Sequence, residues 1–140
     1  MPPVVYENRV RYAEADPQEI VFYGNYVTFQ DESLMAFLRE IGYGHSDDWG
    51  WDLHVVHMEM DYRAPARVGD VLENEFRITG IGEASIDSEY RARRKADGTV
   101  IAEGSLTHVA VDEPQGESIR VPDAFRDAVV AYQDEPPDPV

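Results

Sequence analysis

The sequence predicts an α+β fold in which an antiparallel sheet wraps around one long central helix. Three observations predict it. The first is the apolar run Tyr26, Val27, Phe29, Leu34, Met35, Ala36, Phe37, Leu38 and Ile41, which covers more of a helix than a one-sided stripe and so marks a helix buried on most sides. The second is a series of period-two stretches after Leu53, each with one apolar and one polar face. The third is the turn chemistry that separates those stretches, at Pro65, Gly69-Asp70, Gly80 to Gly82 and Asp97-Gly98.

In order along the chain, residues 4–12 alternate as an edge-like strand, with Val4, Tyr6, Asn8, Val10 and Tyr12 on one face. Asp16-Pro17 sets a turn, because proline fixes its own φ and keeps the residue before it out of the α region. The helix is expected over about 25–41, with Asn25 as N-cap and Gly42 as the residue that closes its end. Residues 43–52 read as a Gly- and Asp-rich connection whose Trp49 and Trp51 pack or cover a pocket mouth. Next comes a strand that puts His54, Val56, Met58, Met60 and Tyr62 on one face and Val55, His57, Glu59, Asp61 and Arg63 on the other. A strand with Leu72, Asn74, Phe76 and Ile78 facing one way leads into one with Ala84, Ile86, Ser88, Tyr90 and Ala92 facing one way. Asp97-Gly98 is the strongest two-residue hairpin signal, and Thr99 to Val111 forms the last long strand. Pro122-Asp123 opens a helix over about 122–132, and the acidic residues after it read as a frayed tail. The whole, residues 1–140, is expected to be one domain with its core at about 4–113.

Composition narrows the function classes. A hydrophobic fraction of 43% with two Trp, eight Tyr and five Phe argues for a packed core. The absence of cysteine removes thiolate metal sites and a cysteine nucleophile. No apolar run reaches the roughly 20 residues of a membrane helix, and no signal-peptide pattern is seen, so a cytoplasmic location with no membrane partner is expected. The 28 acidic residues against 12 basic ones give a net charge of −16, with Lys95 the single lysine. Self-repulsion on that scale is relieved when molar salt shrinks the Debye length to about 3 Å, which points to adaptation to high salt. It also disfavours nucleic acid, whose phosphates need clustered Lys and Arg. The four histidines lack metal-ligand spacing, so no metal and no resident cofactor is expected.

The chemistry-bearing stretch is the loop before the helix. Asp16 lies near a helix start whose free amides, those of Tyr23, Gly24 and the first turn, favour developing negative charge. A carboxylate beside such donors is what acyl transfer requires, although Asp before Pro is also a common turn former. Asp31 and Glu32, inside the helix, are alternative bases or parts of a solvated stripe. Arg91, Arg93, Arg94 and Lys95 form the one basic cluster, available to an anionic ligand or to neighbouring acids such as Glu89.

The run Asp16-Pro17-Gln18-Glu19-Ile20-Val21-Phe22-Tyr23-Gly24-Asn25-Tyr26, the helix ending Leu38-Arg39-Glu40-Ile41-Gly42, and the segment Tyr62-Arg63-Ala64-Pro65-Ala66-Arg67-Val68-Gly69-Asp70-Val71-Leu72 together resemble the 4-hydroxybenzoyl-CoA thioesterase family of hotdog-fold proteins. The likeness spans about residues 5–112. It implies a hotdog fold, an acyl-CoA substrate, Asp16 as catalytic base or nucleophile and the Tyr23 backbone N–H as oxyanion donor. It also implies a homodimer or homotetramer paired through an edge strand. Gly24, Tyr26, Phe29, Arg93, Arg94 and Lys95 are the further substrate-binding candidates. The chain departs from the family at Glu19, where glycine is usual, at Leu34, where many relatives carry Arg, and at the Gly82-Glu83 turn, which is not basic. These departures motivate the alternative of a non-catalytic hotdog protein that binds an acyl or aromatic ligand.

Overall fold

The computed structural model describes residues 3–44, 49–112 and 116–140. Helix α1 runs from Asn25 to Glu40 and buries Tyr26, Phe29, Gln30, Ser33, Leu34, Ala36, Phe37 and Leu38. At its end Gly42 takes the left-handed φ of 90° that a side chain resists. There the Gly42 N–H donates to the Arg39 carbonyl at 3.2 Å and the Tyr43 N–H to the Leu38 carbonyl at 2.7 Å, satisfying the last turn as a Schellman motif does. The other end differs from expectation. Gly24 is the cap and Asn25 is already helical, because the Asn25 amide is used elsewhere, donating to the Glu14 carbonyl at 2.8 Å.

The sheet is formed by β1 (Val4–Arg9), β2 (Trp51–Tyr62), β3 (Val71–Ile81), β4 (Ser85–Arg94), β5 (Val100–Asp112) and the two-residue β6 (Asp138–Pro139). The order is β1-β3-β4-β5-β2, antiparallel throughout, with β6 lying parallel beside the far part of β3. Helix α1 packs chiefly on β3, β1 and β4. Under it lie Leu72, Phe76 and Ile78 of β3 and Ile86, Tyr90 and Ala92 of β4, all essentially inaccessible to solvent. Phe37 joins the layers, its ring 5.4 Å from Phe76 and 5.3 Å from Tyr132. One polar chain crosses this core: the Tyr90 hydroxyl donates to Asn74 Oδ1 at 2.6 Å, and Asn74 Nδ2 donates to Asn8 Oδ1 at 2.7 Å. Burial pushes the Tyr90 phenol far above its usual range, which keeps it a donor.

Four further sequence expectations change. The first strand stops at Arg9 rather than continuing to residue 12, because Val10 turns inward, its N–H bonding the Asp70 carbonyl, and Tyr12–Glu14 form a 3-10 turn. In β2 an irregularity between Val55 and His57 shifts the alternation, so His54 and His57, opposite Val109 and Thr107, share the outer face instead of opposing ones. Between β4 and β5 the Asp97-Gly98 pair sits in a longer connection: only Gly98 is left-handed, and Asp97 accepts from the Thr99 N–H at 3.0 Å. The tail is docked rather than frayed. Gln133, after α2 (Asp123–Tyr132), accepts from the Ile78 N–H at 2.6 Å and donates to the Ile78 carbonyl at 2.9 Å, as a neighbouring strand would, and β6 pairs with Gly80 and Ile81.

Trp49 and Trp51 pack with Tyr43 and Phe125 at ring separations of 5.1 to 6.3 Å, which joins α2 to the end of α1. His45 lies outside the described residues.

Candidate active site

A small hairpin carries Asp16 to the start of α1. Ala15 bridges Val21, the Asp16 N–H donates to the Ile20 carbonyl at 2.8 Å, and the Glu19 N–H donates to the Asp16 carbonyl at 2.9 Å. Its base is fixed by the Glu14 carbonyl, which accepts both the Phe22 N–H (2.9 Å) and the Asn25 side chain. Its outer strand is held to the next segment, since Ile20 bridges Arg67 and the Val21 N–H donates to the Ala66 carbonyl. Asp16 is therefore two residues, about 7 Å of chain at most, from a carbonyl bonded to the helix's first residue.

The Asp16 side chain is half-buried, and its Oδ1 accepts from the Gln18 N–H at 2.8 Å. The turn-forming role weighed from sequence is thus present. Oδ2 has no hydrogen-bond partner among the described residues, and the side chain lines an open cavity of about 630 Å³ with Tyr12, Pro17, Glu19 and Arg67. At the helix start the amides of Tyr23 and Gly24 donate to no group among the described residues. A Cβ at Gly24 would stand 2.8 Å from the ring of the exposed Phe22, so a side chain there would have to displace that ring.

Glu19 adopts φ 66°, the left-handed conformation that glycine takes at no cost. The hairpin therefore keeps its shape with a side chain in place, at a strain of about 1–2 kcal/mol. Glu19→Gly relieves that strain and loses about 0.5–1 kcal/mol to greater freedom of the unfolded chain. A small rise in the urea midpoint is the expected result, and a fall would show that the Glu19 side chain contributes more than its backbone costs.

The other predicted residues are distributed differently. Tyr26 is buried, and burial raises its phenol to about 12; Phe29 is buried beside it, so both belong to the core around α1 rather than to the Asp16 cavity. The basic cluster is occupied by the chain's own acids. Arg91 and Arg93 donate to the buried Glu75 at 2.6 and 3.2 Å, Arg94 pairs with Asp70 and Asp97, and Lys95 pairs with Glu7. Glu89, the acid named from sequence, pairs instead with Arg77 at 3.5 Å. The cation at the cavity is Arg67, which makes no ion pair among the described residues and which the sequence reading did not single out. Its signal lay in the segment Tyr62 to Leu72, whose backbone pairs with the hairpin. Among the described residues no group of three or more acids and histidines is arranged to hold a metal ion, and no helix is long and apolar enough to cross a membrane.

A single layer of antiparallel strands curled on one long helix defines a hotdog-fold protein. The chain belongs to the thioesterase-like superfamily, which it matches over residues 10–129. It is 26% identical over 129 residues to a putative acyl-CoA thioesterase, YneP, of Bacillus subtilis, covering 91% of this chain and 93% of the relative. It is 28% identical over 106 residues to the acyl-CoA thioester hydrolase YbgC of Escherichia coli O6:H1, covering 74% and 78%. The crystal structure of Slr0204, a 1,4-dihydroxy-2-naphthoyl-CoA thioesterase from Synechocystis, superposes with a TM-score of 0.83 at 22% identity, covering 94% of this chain and 97% of that one.

Proposed function

We propose that this protein hydrolyses an acyl-CoA thioester to a carboxylic acid and free CoA. In this reading Asp16 attacks the thioester carbonyl or activates the water that does, and the Tyr23 and Gly24 amides take up the oxyanion charge. The observation that carries the reading is the hairpin that ties a carboxylate, with one unpartnered oxygen and a cavity of about 630 Å³ beside it, to a helix start whose Tyr23 and Gly24 amides are unpartnered among the described residues and do not themselves line that cavity. Donors already fixed in place stabilise charge that forms on a carbonyl oxygen, typically by about 3 kcal/mol each. Arg67, at the rim, is the group suited to a CoA phosphate, because its charge is not taken by a neighbouring acid among the described residues. The superfamily and the named activities of YneP and YbgC support the same reaction class.

The working unit in this reading is a homodimer or a pair of dimers. Strand β2 is an outer strand of twelve residues with Val55, Val56, Met58 and Tyr62 all exposed, a border that a second copy would cover.

The alternative of ligand binding without turnover has its own observation, since Glu19 puts a second carboxylate on the same cavity. A panel of short, long and aromatic acyl-CoAs separates the two when assayed in molar salt, where a chain of net charge −16 is least strained. Hydrolysis of any member that disappears in Asp16→Asn supports the thioesterase. Saturable binding of the panel with no CoA release would overturn it.

A further inference from the structure

In a chain with 28 acidic residues against 12 basic ones, most of the arginines and the one lysine pair with the protein's own carboxylates. Arg67 differs, since it faces the Asp16 cavity and makes no ion pair among the described residues. The acid nearest to it along the chain is Asp70, three residues on, and that carboxylate is engaged elsewhere. Its Oδ2 accepts the Arg67 backbone N–H at 2.9 Å and Arg94 Nε at 3.2 Å.

Arg94, the last residue of β4, applies all three nitrogens of its guanidinium to this part of the molecule. Nε reaches Asp70, Nη1 donates to Asp97 at 2.8 Å, and Nη2 donates to the Pro65 carbonyl at 2.9 Å. One planar fork therefore holds both ends of the segment 65–70, and Arg67 lies between the two anchor points. An ammonium has no such fork, because its donors radiate from a single atom. The segment is fixed from the β1 side as well. The Val10 N–H donates to the Asp70 carbonyl at 2.8 Å, the Gly69 N–H to the Val10 carbonyl at 2.9 Å, and Arg9 Nη1 to the Gly69 carbonyl at 2.9 Å. Pairing of Ile20 with Arg67 and of Val21 with Ala66 then joins the segment to the hairpin that carries Asp16.

We propose that Arg94 is a positioning residue for phosphate recognition: it neutralises Asp70 and fixes residues 65–70, so that the Arg67 guanidinium stands free at the cavity for a phosphate of CoA. The inference rests on the thioesterase reading. Two effects add in its favour. Without Arg94, Asp70 is an uncompensated acid three residues from Arg67, and it competes with the phosphate for that guanidinium. The segment also loses its tie at Pro65, so more freedom is lost when Arg67 is ordered around a ligand. Arg94 does not itself line the cavity, and each of its three nitrogens already donates to the chain.

The test compares the best acyl-CoA with the same acyl group on pantetheine, which lacks the phosphates, at one salt concentration throughout. Arg94→Gln raises KM for the CoA thioester by about fivefold or more, the loss expected of a charge-assisted hydrogen bond at an exposed site, with kcat within about twofold. The pantetheine thioester is unaffected. Arg67→Gln does the same, and the double variant is no worse than Arg67→Gln alone, because Arg94 acts only through Arg67. Arg94→Lys, which serves where Arg94→Gln folds poorly, also raises KM, since it keeps the charge and loses the fork. Arg120→Gln removes an equal charge from a residue paired with Asp123, and it leaves KM unchanged. An equal rise for the pantetheine thioester makes Arg94 merely structural, and a double variant several-fold worse than Arg67→Gln makes it a direct phosphate contact. An equal rise in Arg120→Gln makes the effect one of net charge, and an unchanged KM in Arg94→Gln leaves Arg94 no part in binding. Each of these overturns the proposal and leaves hydrolysis standing. Where no thioester is cleaved, CoA alone is titrated calorimetrically. Affinity lowered by Arg94→Gln, and lowered no further in the double variant than in Arg67→Gln, sustains the phosphate site and overturns the thioesterase. Any other result of that titration overturns both.

Discussion

Asp16→Asn lowers kcat/KM for the best acyl-CoA by about 10² to 10⁴ while leaving the protein folded, the range that loss of a positioned acid or base commonly produces. The two effects separate because the carboxylate has two tasks on two oxygens. Oδ1 holds the turn by accepting the Gln18 N–H, and an Asn carbonyl oxygen makes the same bond. Oδ2 has no partner among the described residues, and it is this second oxygen, free to attack or to take a proton, that the amide replaces with a donor. Urea unfolding of Asp16→Asn should stay within about 0.5 kcal/mol of wild type. Asp16→Ala removes both tasks, so it should lose activity to the same degree and about 1 kcal/mol of stability as well. Turnover by Asp16→Asn within a few fold of wild type would remove this residue from the chemistry.

Phe37→Ala should be the most destabilising of the simple truncations, by about 3–5 kcal/mol. The ring is wholly buried and is shared by three elements: its own helix, Phe76 on β3 and Tyr132 at the end of α2. A cavity there cannot be filled by one neighbour moving, because each is held by a different part of the sheet or tail. Phe37→Leu, which keeps most of the volume, should cost about 1.5 kcal/mol or less. Urea titration at constant high salt reads both, since guanidinium would change the ionic strength of an acidic chain during the measurement. Equal midpoints for Phe37→Ala and wild type would show that the helix is not anchored through this ring.

What the sequence disclosed and what it hid divide by the range of the interaction. The span of α1, the alternation of β3 and β4 and the helix over residues 123–132 follow from local periodicity, and each stands within a residue or two of expectation. Gly42 was legible because its cap is local. Asn25 was misread because its partner is Glu14, eleven residues back, and no propensity reports that bond. The phase of β2 failed for the same kind of reason: one irregular residue near Val56, set by pairing with β5, reverses every face after it. Arg67 escaped notice since it reaches the Asp16 loop only through long-range backbone pairing, the bridge between Ile20 and Arg67 and the bond from the Val21 N–H to the Ala66 carbonyl. The docked tail was hidden by its composition, which is proline-rich and acidic like that of unstructured ends, whereas its hold on β3 depends on Gln133 and two short backbone pairs.

That hold has a consequence for how the molecule multiplies. A sheet with two bare margins can recruit copies at both and grow into a ribbon without end. Here one margin is long and uncovered, while the opposite one is split between six residues of β1 and a stretch of β3 already taken by the chain's own terminus. Recruitment through the long margin uses it up on both partners at once, and the expected product is a closed pair rather than a fibre.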